Sequence, residues 1–122
     1  MDALSQALSA AFGVNALIAT AAGTVVGLVF GSIPGLTFSM ALALLVPFTF
    51  GMDPTPAIAM LLGTYVGGMT GGSVSSILLG IPGTPSSAAT VFDGHPMAQR
   101  GQASVALGAA VEIGRASCRE RV

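Results

Sequence analysis

Two long stretches of this 122-residue chain contain no acidic or basic residue and no histidine. One lies between Asp2 and Asp53, and the other lies between Asp53 and Asp93. An α-helix needs about 20 mainly apolar residues, at 1.5 Å per residue, to cross the roughly 30 Å hydrocarbon core of a bilayer. Both stretches exceed this length. They therefore predict an all-α, polytopic, multi-pass integral membrane protein whose surroundings are the lipid bilayer.

The composition argues against a soluble domain. Charged residues make up 7% of the chain and hydrophobic residues 52%, whereas an average soluble domain has about 25% charged residues. The net charge is −1 and lysine is absent, so nucleic acid is not an expected partner. The sequence contains none of the common catalytic, phosphate-binding or metal-binding motifs. We therefore expect no enzyme activity, no cofactor and no metal site.

Apolar runs and prolines divide the chain into segments. Residues 14–33 and 57–79 each have the length of a full transmembrane helix. Residues 36–50 are too few for a comfortable crossing and are interrupted by Pro47, which favours a half-helix or re-entrant segment. Another apolar segment starts at Gln102.

Two polar stretches separate these segments. Residues 51–56 predict a turn at the membrane surface, in which Asp53 caps the next helix and Pro54 lies in its first turn. Residues 91–100 predict a loop at the surface or along a cavity. This loop contains Asp93, His95 and Arg100, for which we expect a structural role for His95 and Arg100 and leave Asp93 open between a solvated loop residue and a site residue.

Glycines recur every four residues in both full-length segments, which places them on one helix face and allows another helix to approach closely. The alternative is that glycine is simply common in transmembrane helices. The second segment is so rich in glycine that either close packing or local unwinding is expected. The residues predicted to pack helices are Gly23, Gly27, Gly31, Gly63, Gly67 and Gly71.

An Ile-Pro-Gly break occurs twice, at Ile33-Pro34-Gly35 and at Ile81-Pro82-Gly83. Broken helices of secondary transporters place helix ends near the middle of the membrane, where free amides bind anions and free carbonyls bind ions. Ordinary turns at the water interface are the alternative. Nearby hydroxyls could add ligands, and they belong to Thr37, Ser39, Thr84, Ser86 and Ser87.

The last eleven residues differ abruptly from the rest of the chain. Residues 112–122 carry three of the four arginines and the single cysteine, Cys118. The run Glu-Ile-Gly-Arg-Ala-Ser-Cys-Arg-Glu-Arg-Val resembles a translated short-read sequencing adapter. We expect residues 1–111 to be the native part of a membrane domain and 112–122 to be a non-native tail; a genuine basic tail is the alternative.

Three long motifs resemble one family. They are Gly-Ser-Ile-Pro-Gly-Leu, Pro-Phe-Thr-Phe-Gly-Met-Asp-Pro, and the run from Gly71 to Ala98 that reads Gly-Gly-Ser-Val-Ser-Ser-Ile-Leu-Leu-Gly-Ile-Pro-Gly-Thr-Pro-Ser-Ser-Ala-Ala-Thr-Val-Phe-Asp-Gly-His-Pro-Met-Ala. Together they are similar to the TctA family, the large permease subunit of tripartite tricarboxylate transporters. Members of that family are several times longer, so the chain resembles an N-terminal fragment.

The resemblance implies a permease of the bacterial inner membrane that imports tricarboxylates or related carboxylates. It also implies a periplasmic solute-binding protein, a small membrane subunit and an ion gradient of Na⁺ or H⁺ as partners in transport. Carried over by position, it implies substrate or ion binding at Pro34, Gly35, Ser73, Pro82, Gly83, Thr84 and Asp93.

Two other functions remain open at this point. A non-transporting membrane scaffold or accessory subunit could pack against partner helices through its glycine faces. An intramembrane enzyme is a third alternative, opposed by the missing catalytic pairs. The substrate, coupling ion, orientation and oligomeric state are not predicted.

Overall fold

The computed structural model describes the backbone of residues 2–120 and the side chains of residues 2–112, and it is helical throughout its regular elements. Predictions about the side chains of Arg115, Cys118, Arg119 and Arg121 lie outside these described residues. A 3-10 turn, Pro85–Ser87, precedes the fifth helix. The six helices are α1 Asp2–Ala11, α2 Val14–Ser32, α3 Phe38–Thr49, α4 Pro54–Leu79, α5 Ala88–Gln99 and α6 Ala103–Glu120.

Two helices are long and apolar enough to cross a membrane, namely α2 with 19 residues and α4 with 26 residues. The predicted segments 14–33 and 57–79 are therefore confirmed as helices, the second beginning three residues earlier than expected. The helix α3 has 12 residues and a length of about 18 Å at 1.5 Å per residue, which confirms a half-length segment. The predicted apolar segment after Gln102 is confirmed as α6.

The helices α2 and α4 run parallel and pack at very short distance. A Cβ atom added to Gly23 would overlap the Met60 carbonyl oxygen, and one added to Gly27 would overlap that of Thr64. From the other side, a Cβ on Gly63 would lie 2.5 Å from the Thr20 carbonyl oxygen. Gly31, Gly67 and Gly71 meet the facing backbone in the same way. Every α2–α4 contact of this kind requires a residue without a side chain.

The first break reverses the chain inside the length of α4. Ser32 lies at the level of Gly71, because a Cβ on Gly71 would lie 3.0 Å from the Ser32 amide nitrogen. The helix α3 then returns antiparallel to α4, with the Phe38 ring 5.4 Å from the Tyr65 ring in an edge-to-face contact. Consequently α2 and α3 form a helical hairpin that opens toward the Pro54 end of α4.

The second break folds back from the opposite end of α4. Gly80 ends α4 with a left-handed φ of +69°, and the following residues return along the helix until Thr84 contacts Gly72. Ser86 reaches the Met69 sulfur at 3.8 Å. The helix α5 then runs back parallel to α4, so that its residue Gly94 packs on Ile77.

Two details of the sequence-based expectations are wrong, and two others are settled by the packing and the cap of α4. Residues 91–100 form most of α5 and not a loop, because Gly94 lets the backbone pack closely on Ile77. Pro47 lies within α3, which continues to Thr49. The helix α4 shows no unwinding, since its glycines are filled by neighbouring backbone. Asp53 occupies the N-cap position, but its carboxylate makes no capping hydrogen bond.

Replacing Gly27 by alanine should force α2 and α4 apart, because the added methyl group overlaps the Thr64 carbonyl. We expect a loss of about 1–3 kcal/mol in unfolding free energy, as for other overpacked interiors. Thermal or denaturant unfolding in detergent micelles measures it. The matched control is Gly108→Ala on α6, where the added Cβ has no neighbour within 4 Å and alanine is the better helix former by about 1 kcal/mol. Equal stability of the two variants would refute this interface.

Candidate functional site

The two breaks meet at one level of α4. A Cβ on Gly83 would lie 2.5 Å from the Gly31 carbonyl oxygen and 2.6 Å from the Ser75 hydroxyl oxygen. Gly31 belongs to the last turn of α2, just before the first break, and Gly83 belongs to the second break. This level lies about 10 Å inside the Leu79 end of α4, counting seven residues from Gly72 at 1.5 Å each. Both breaks therefore lie beside the interior of a candidate membrane span.

An internal hydrogen-bond network holds the tip of the second break. The Thr84 amide donates to the Ser87 hydroxyl at 3.2 Å, and that hydroxyl donates to the Thr84 carbonyl at 2.8 Å. The Thr84 and Ser86 hydroxyl oxygens lie 3.1 Å apart. Thr84 is 2% exposed and Ser87 3% exposed. Their polar groups are satisfied within the turn, as burial beside an apolar span requires.

The amides of this turn are also used internally. The Ser87 amide donates to the Thr84 carbonyl, and the Ala88 amide donates to the Pro85 carbonyl. The amides of Thr84, Ser87 and Ala88 therefore have partners within the turn. Anion binding by freed amides of the breaks stays a prediction. The Ser86 hydroxyl is the side-chain polar group of this turn that lies at an exposed position.

Two cavities flank Ser73 in the cleft between α4, α5 and α6. The serine cavity, of about 700 Å³, lies toward the start of α5. Its lining residues are Val66, Met69, Thr70, Ser73, Val74, Ser86, Ser87, Leu107, Ala110 and Val111. Ser75 and Ser76 donate their hydroxyls to the Gly72 carbonyl, whereas Ser73 has no such partner among the described residues. The Ser73 hydroxyl is consequently available to a ligand.

The aspartate cavity, of about 530 Å³, lies further along α5. Its lining residues are Ser73, Ala89, Thr90, Asp93, Gly94, Met97, Ala106, Ala109 and Ala110. Asp93 and Thr90 are one helical turn apart, which places them on the same face of α5. Among the described residues that line the two cavities, none is basic. Asp93 itself is exposed, at the edge of its cavity.

The structure places the sequence-predicted site residues in different surroundings. Ser73 and Asp93 line a common cavity, whereas Thr84 is buried and Gly83 is enclosed between α2 and α4. Gly35, with a left-handed φ of +91°, has no neighbour within 4 Å of its Cβ position. The two remaining positions, Pro34 and Pro82, lie in the two breaks and line neither cavity.

His95 joins the end of α5 to the end of α4. Its Nδ1 atom lies 3.3 Å from the Ile77 carbonyl oxygen, and its Nε2 atom lies 3.0 Å from the Gln99 side-chain nitrogen. Both contacts fit the tautomer in which Nδ1–H donates and Nε2 accepts. The imidazole thus satisfies one of the last carbonyls of α4, which have no partner within the helix. Its ring also packs against Gly80, in keeping with the expected structural role.

Sequence reasoning missed Thr90 and the contribution of α6. The interpretation of residues 91–100 as a loop hid the helical spacing of Thr90 and Asp93. From α6, Ala110 lines both cavities and Leu107 lines the serine cavity, but both belong to an unremarkable apolar run. A search for polar residues three apart in the residues just before Gly94 would have found the Thr90 and Asp93 pair.

Secondary transporters combine membrane-spanning helices with broken helices near the middle of the membrane. The two candidate spans and the two hydroxyl-rich breaks of this chain resemble that arrangement. The family model described as "Tripartite tricarboxylate transporter TctA family" matches residues 17–114. The chain belongs to this family, and the family is a transporter family.

A relative from Agrobacterium vitis supports the assignment. It is described as an uncharacterised 52.8 kDa protein in the TAR-I ttuC′ 3′ region, and it is 41% identical over 88 residues. The matched part is 72% of this chain and 18% of the relative. The chain thus spans less than a fifth of that relative's length. No solved structure matches the chain.

Replacing His95 by alanine should loosen α5 from α4, because the Ile77 carbonyl loses its donor. We expect a loss of about 1–3 kcal/mol, the usual cost of leaving a buried polar group without a partner. The variant His95→Asn should restore most of it, since the asparagine side-chain nitrogen occupies the position of Nδ1. Thermal unfolding in micelles compares the two variants, with Gln99→Ala as the control for the exposed Nε2 contact. An asparagine variant as unstable as the alanine variant would contradict this role.

Proposed function

We propose that this chain is part of a multi-pass permease subunit in the bacterial inner membrane that imports a tricarboxylate or related carboxylate. The permease works with a periplasmic solute-binding protein and a small membrane subunit, and an ion gradient drives it. Family membership over residues 17–114 supports this class of protein. The helices α2 and α4 supply the two spans of the fragment.

The observation that carries the proposal is the meeting of the two breaks beside α4. The hairpin of α2 and α3 reaches this level from the Pro54 end of α4, and the segment that starts at Gly80 reaches it from the Leu79 end. In an apolar surrounding, irregular backbone is tolerated only where protein covers it or where it lines a cavity. Gly83 meets the first condition, because α2 and α4 cover it. Ser86 meets the second condition, because it lines the serine cavity.

The serine cavity has the chemistry needed for a carboxylate in a site without basic residues. The hydroxyls of Ser73 and Ser86 line a mainly apolar space, and a hydroxyl donates a strong hydrogen bond to an ionised carboxylate. The amino-terminal end of α5 adds the positive end of a helix dipole. Thr84 acts indirectly, since it holds Ser86 and Ser87 in place.

The packing of α2 on α4 weakens the alternative of a scaffold. That alternative requires glycine faces that are free to bind partner helices. Within the described residues, the glycine faces of α2 and α4 are covered by each other. A partner helix would have to use other surfaces.

Replacing Ser73 or Ser86 by alanine in the full-length protein should weaken carboxylate binding. A hydrogen bond to a charged group contributes about 1.5–3 kcal/mol, so we expect an increase in Kd of at least about tenfold. Binding of a radiolabelled tricarboxylate to the purified permease measures the effect. The matched control is Ser104→Ala, which removes an exposed hydroxyl of α6 outside both cavities. Unchanged affinity in both cavity variants would refute the proposed anion site.

A further inference from the structure

The helix α1 keeps its polar and apolar residues on separate faces. At about 100° per residue, its polar side chains fall within an arc of roughly 100°. The rest of its circumference carries alanine and leucine only. The polar arc contains Asp2, Ser5, Gln6 and Ser9, and the apolar arc contains Ala3, Leu4, Ala7, Leu8, Ala10 and Ala11. This separation is typical of a helix that lies between an apolar and an aqueous phase.

The apolar arc of α1 is not covered by the described residues. Every residue of α1 is exposed, including Leu4 at 67% and Leu8 at 52%. Phe12, just after the helix, is 73% exposed. Neighbouring apolar groups that are exposed together mark a contact surface.

The position of α1 relative to the two candidate spans indicates what covers this surface. The helix α2 begins at Val14, directly after the Gly13 that separates it from α1. The last turn of α1 lies beside the start of α4, because Ala10 and Asp53 line the same small cavity. The helices α2 and α4 are parallel, so both spans start at this end, next to the polar turn of residues 51–56. The helix α1 therefore lies at the boundary between lipid and water.

The length of α1 and its continuity with α2 identify the covering phase as lipid. Ten residues extend about 15 Å, half of the roughly 30 Å hydrocarbon core, so α1 cannot cross the membrane. The exposed apolar surface continues through Phe12 and Val14 onto the outer face of α2 at Leu17. The lipid that surrounds the outer face of α2 therefore also reaches the apolar arc of α1.

We propose that α1 is an interfacial helix, which lies along the membrane surface with Leu4 and Leu8 in the lipid and Asp2 in water. Interfacial helices often carry Lys and Arg, which bind anionic lipids. Residues 2–12 contain neither, so α1 is held by apolar contact and not by headgroup charge. The helix lies before the matched residues 17–114. The inference thus goes beyond the proposed function and depends only on the two spans.

The test compares two spin labels in the full-length permease without other cysteines, reconstituted in phosphatidylcholine vesicles. Ala7→Cys lies within the apolar arc and leaves both leucines in place. Ser9→Cys lies two residues later, about 160° away around the helix. Electron paramagnetic resonance measures the collisions of each label with oxygen, which concentrates in lipid, and with a nickel complex, which stays in water. We expect a ratio of oxygen to nickel collisions that is severalfold higher at Ala7→Cys, at a depth of about 5–10 Å into the boundary between headgroups and acyl chains.

Two results of this comparison would overturn the proposal. Frequent nickel collisions at both labels would place α1 in water. Few collisions with either reagent at Ala7→Cys would place the apolar arc against protein, such as another helix of the permease.

A second measurement adds a charge to α1 and follows the Ala7→Cys label. Leu8→Asp should raise its nickel collisions severalfold, because the charge draws the apolar arc out of the lipid. Ser9→Asp, the same new side chain on the polar arc, should leave them unchanged, and equal effects of the two variants would refute the orientation. Adding phosphatidylglycerol should not change the depth of the label. Insertion that requires this anionic lipid would contradict attachment by apolar contact.

Discussion

The close contact between α2 and α4 is the constraint on which the other features depend. Glycines on each helix face the backbone carbonyls of the other, as Gly27 faces Thr64 and Gly63 faces Thr20. Such contacts stabilise helix packing in lipid. The hydrophobic effect does not drive helices together there, so their association depends on van der Waals contact, which small residues permit along the backbone. Because the contacts repeat every four residues over three turns, the two helices are fixed in register as well as in distance.

This register determines where the breaks lie. The end of α2 is fixed at the level of Gly68 and Gly71, well before α4 ends at Leu79. The remaining turns of α4 then have room for a second segment, which returns from Gly80 and places Gly83 against Gly31. Small residues are needed again at this point, since a Cβ on Gly72 would lie 2.7 Å from the Thr84 hydroxyl oxygen. The α2–α4 interface thus brings both breaks to the same level of α4. The hydroxyl-rich second break then lies next to the serine cavity.

The sequence predicts the elements of this fold better than their arrangement. The uncharged stretches and the prolines predict α2, the half-length α3 and most of α4, because these features depend on local composition. The parallel packing of α2 on α4 was not predicted, since glycine spacing identifies a packing face but not the helix that meets it. The helix α5 was missed because Gly94 and Pro96 are local signals for a turn, and its stability depends on contacts with α4 such as that of His95 with Ile77. Ser73 and Asp93 were selected from the sequence, whereas Thr90 and the part of α6 that lines the cavities were missed with α5.

The central claim is that the second break returns to the middle of α4 and does not end at the membrane surface. Cross-linking of Met69→Cys to Ser86→Cys by a short bifunctional thiol reagent in the membrane-embedded, full-length protein tests it most directly. The Met69 sulfur and the Ser86 hydroxyl oxygen lie 3.8 Å apart, and the reagent spans the gap that the shorter cysteine side chain leaves. Phe92→Cys, on an exposed position of α5, paired with Met69→Cys provides the control. We expect rapid cross-linking of Met69→Cys with Ser86→Cys and no cross-linking of Met69→Cys with Phe92→Cys. If the break were a turn at the Leu79 end, Met69 would lie about 15 Å away at 1.5 Å per residue; absence of cross-linking in the first pair would contradict the account.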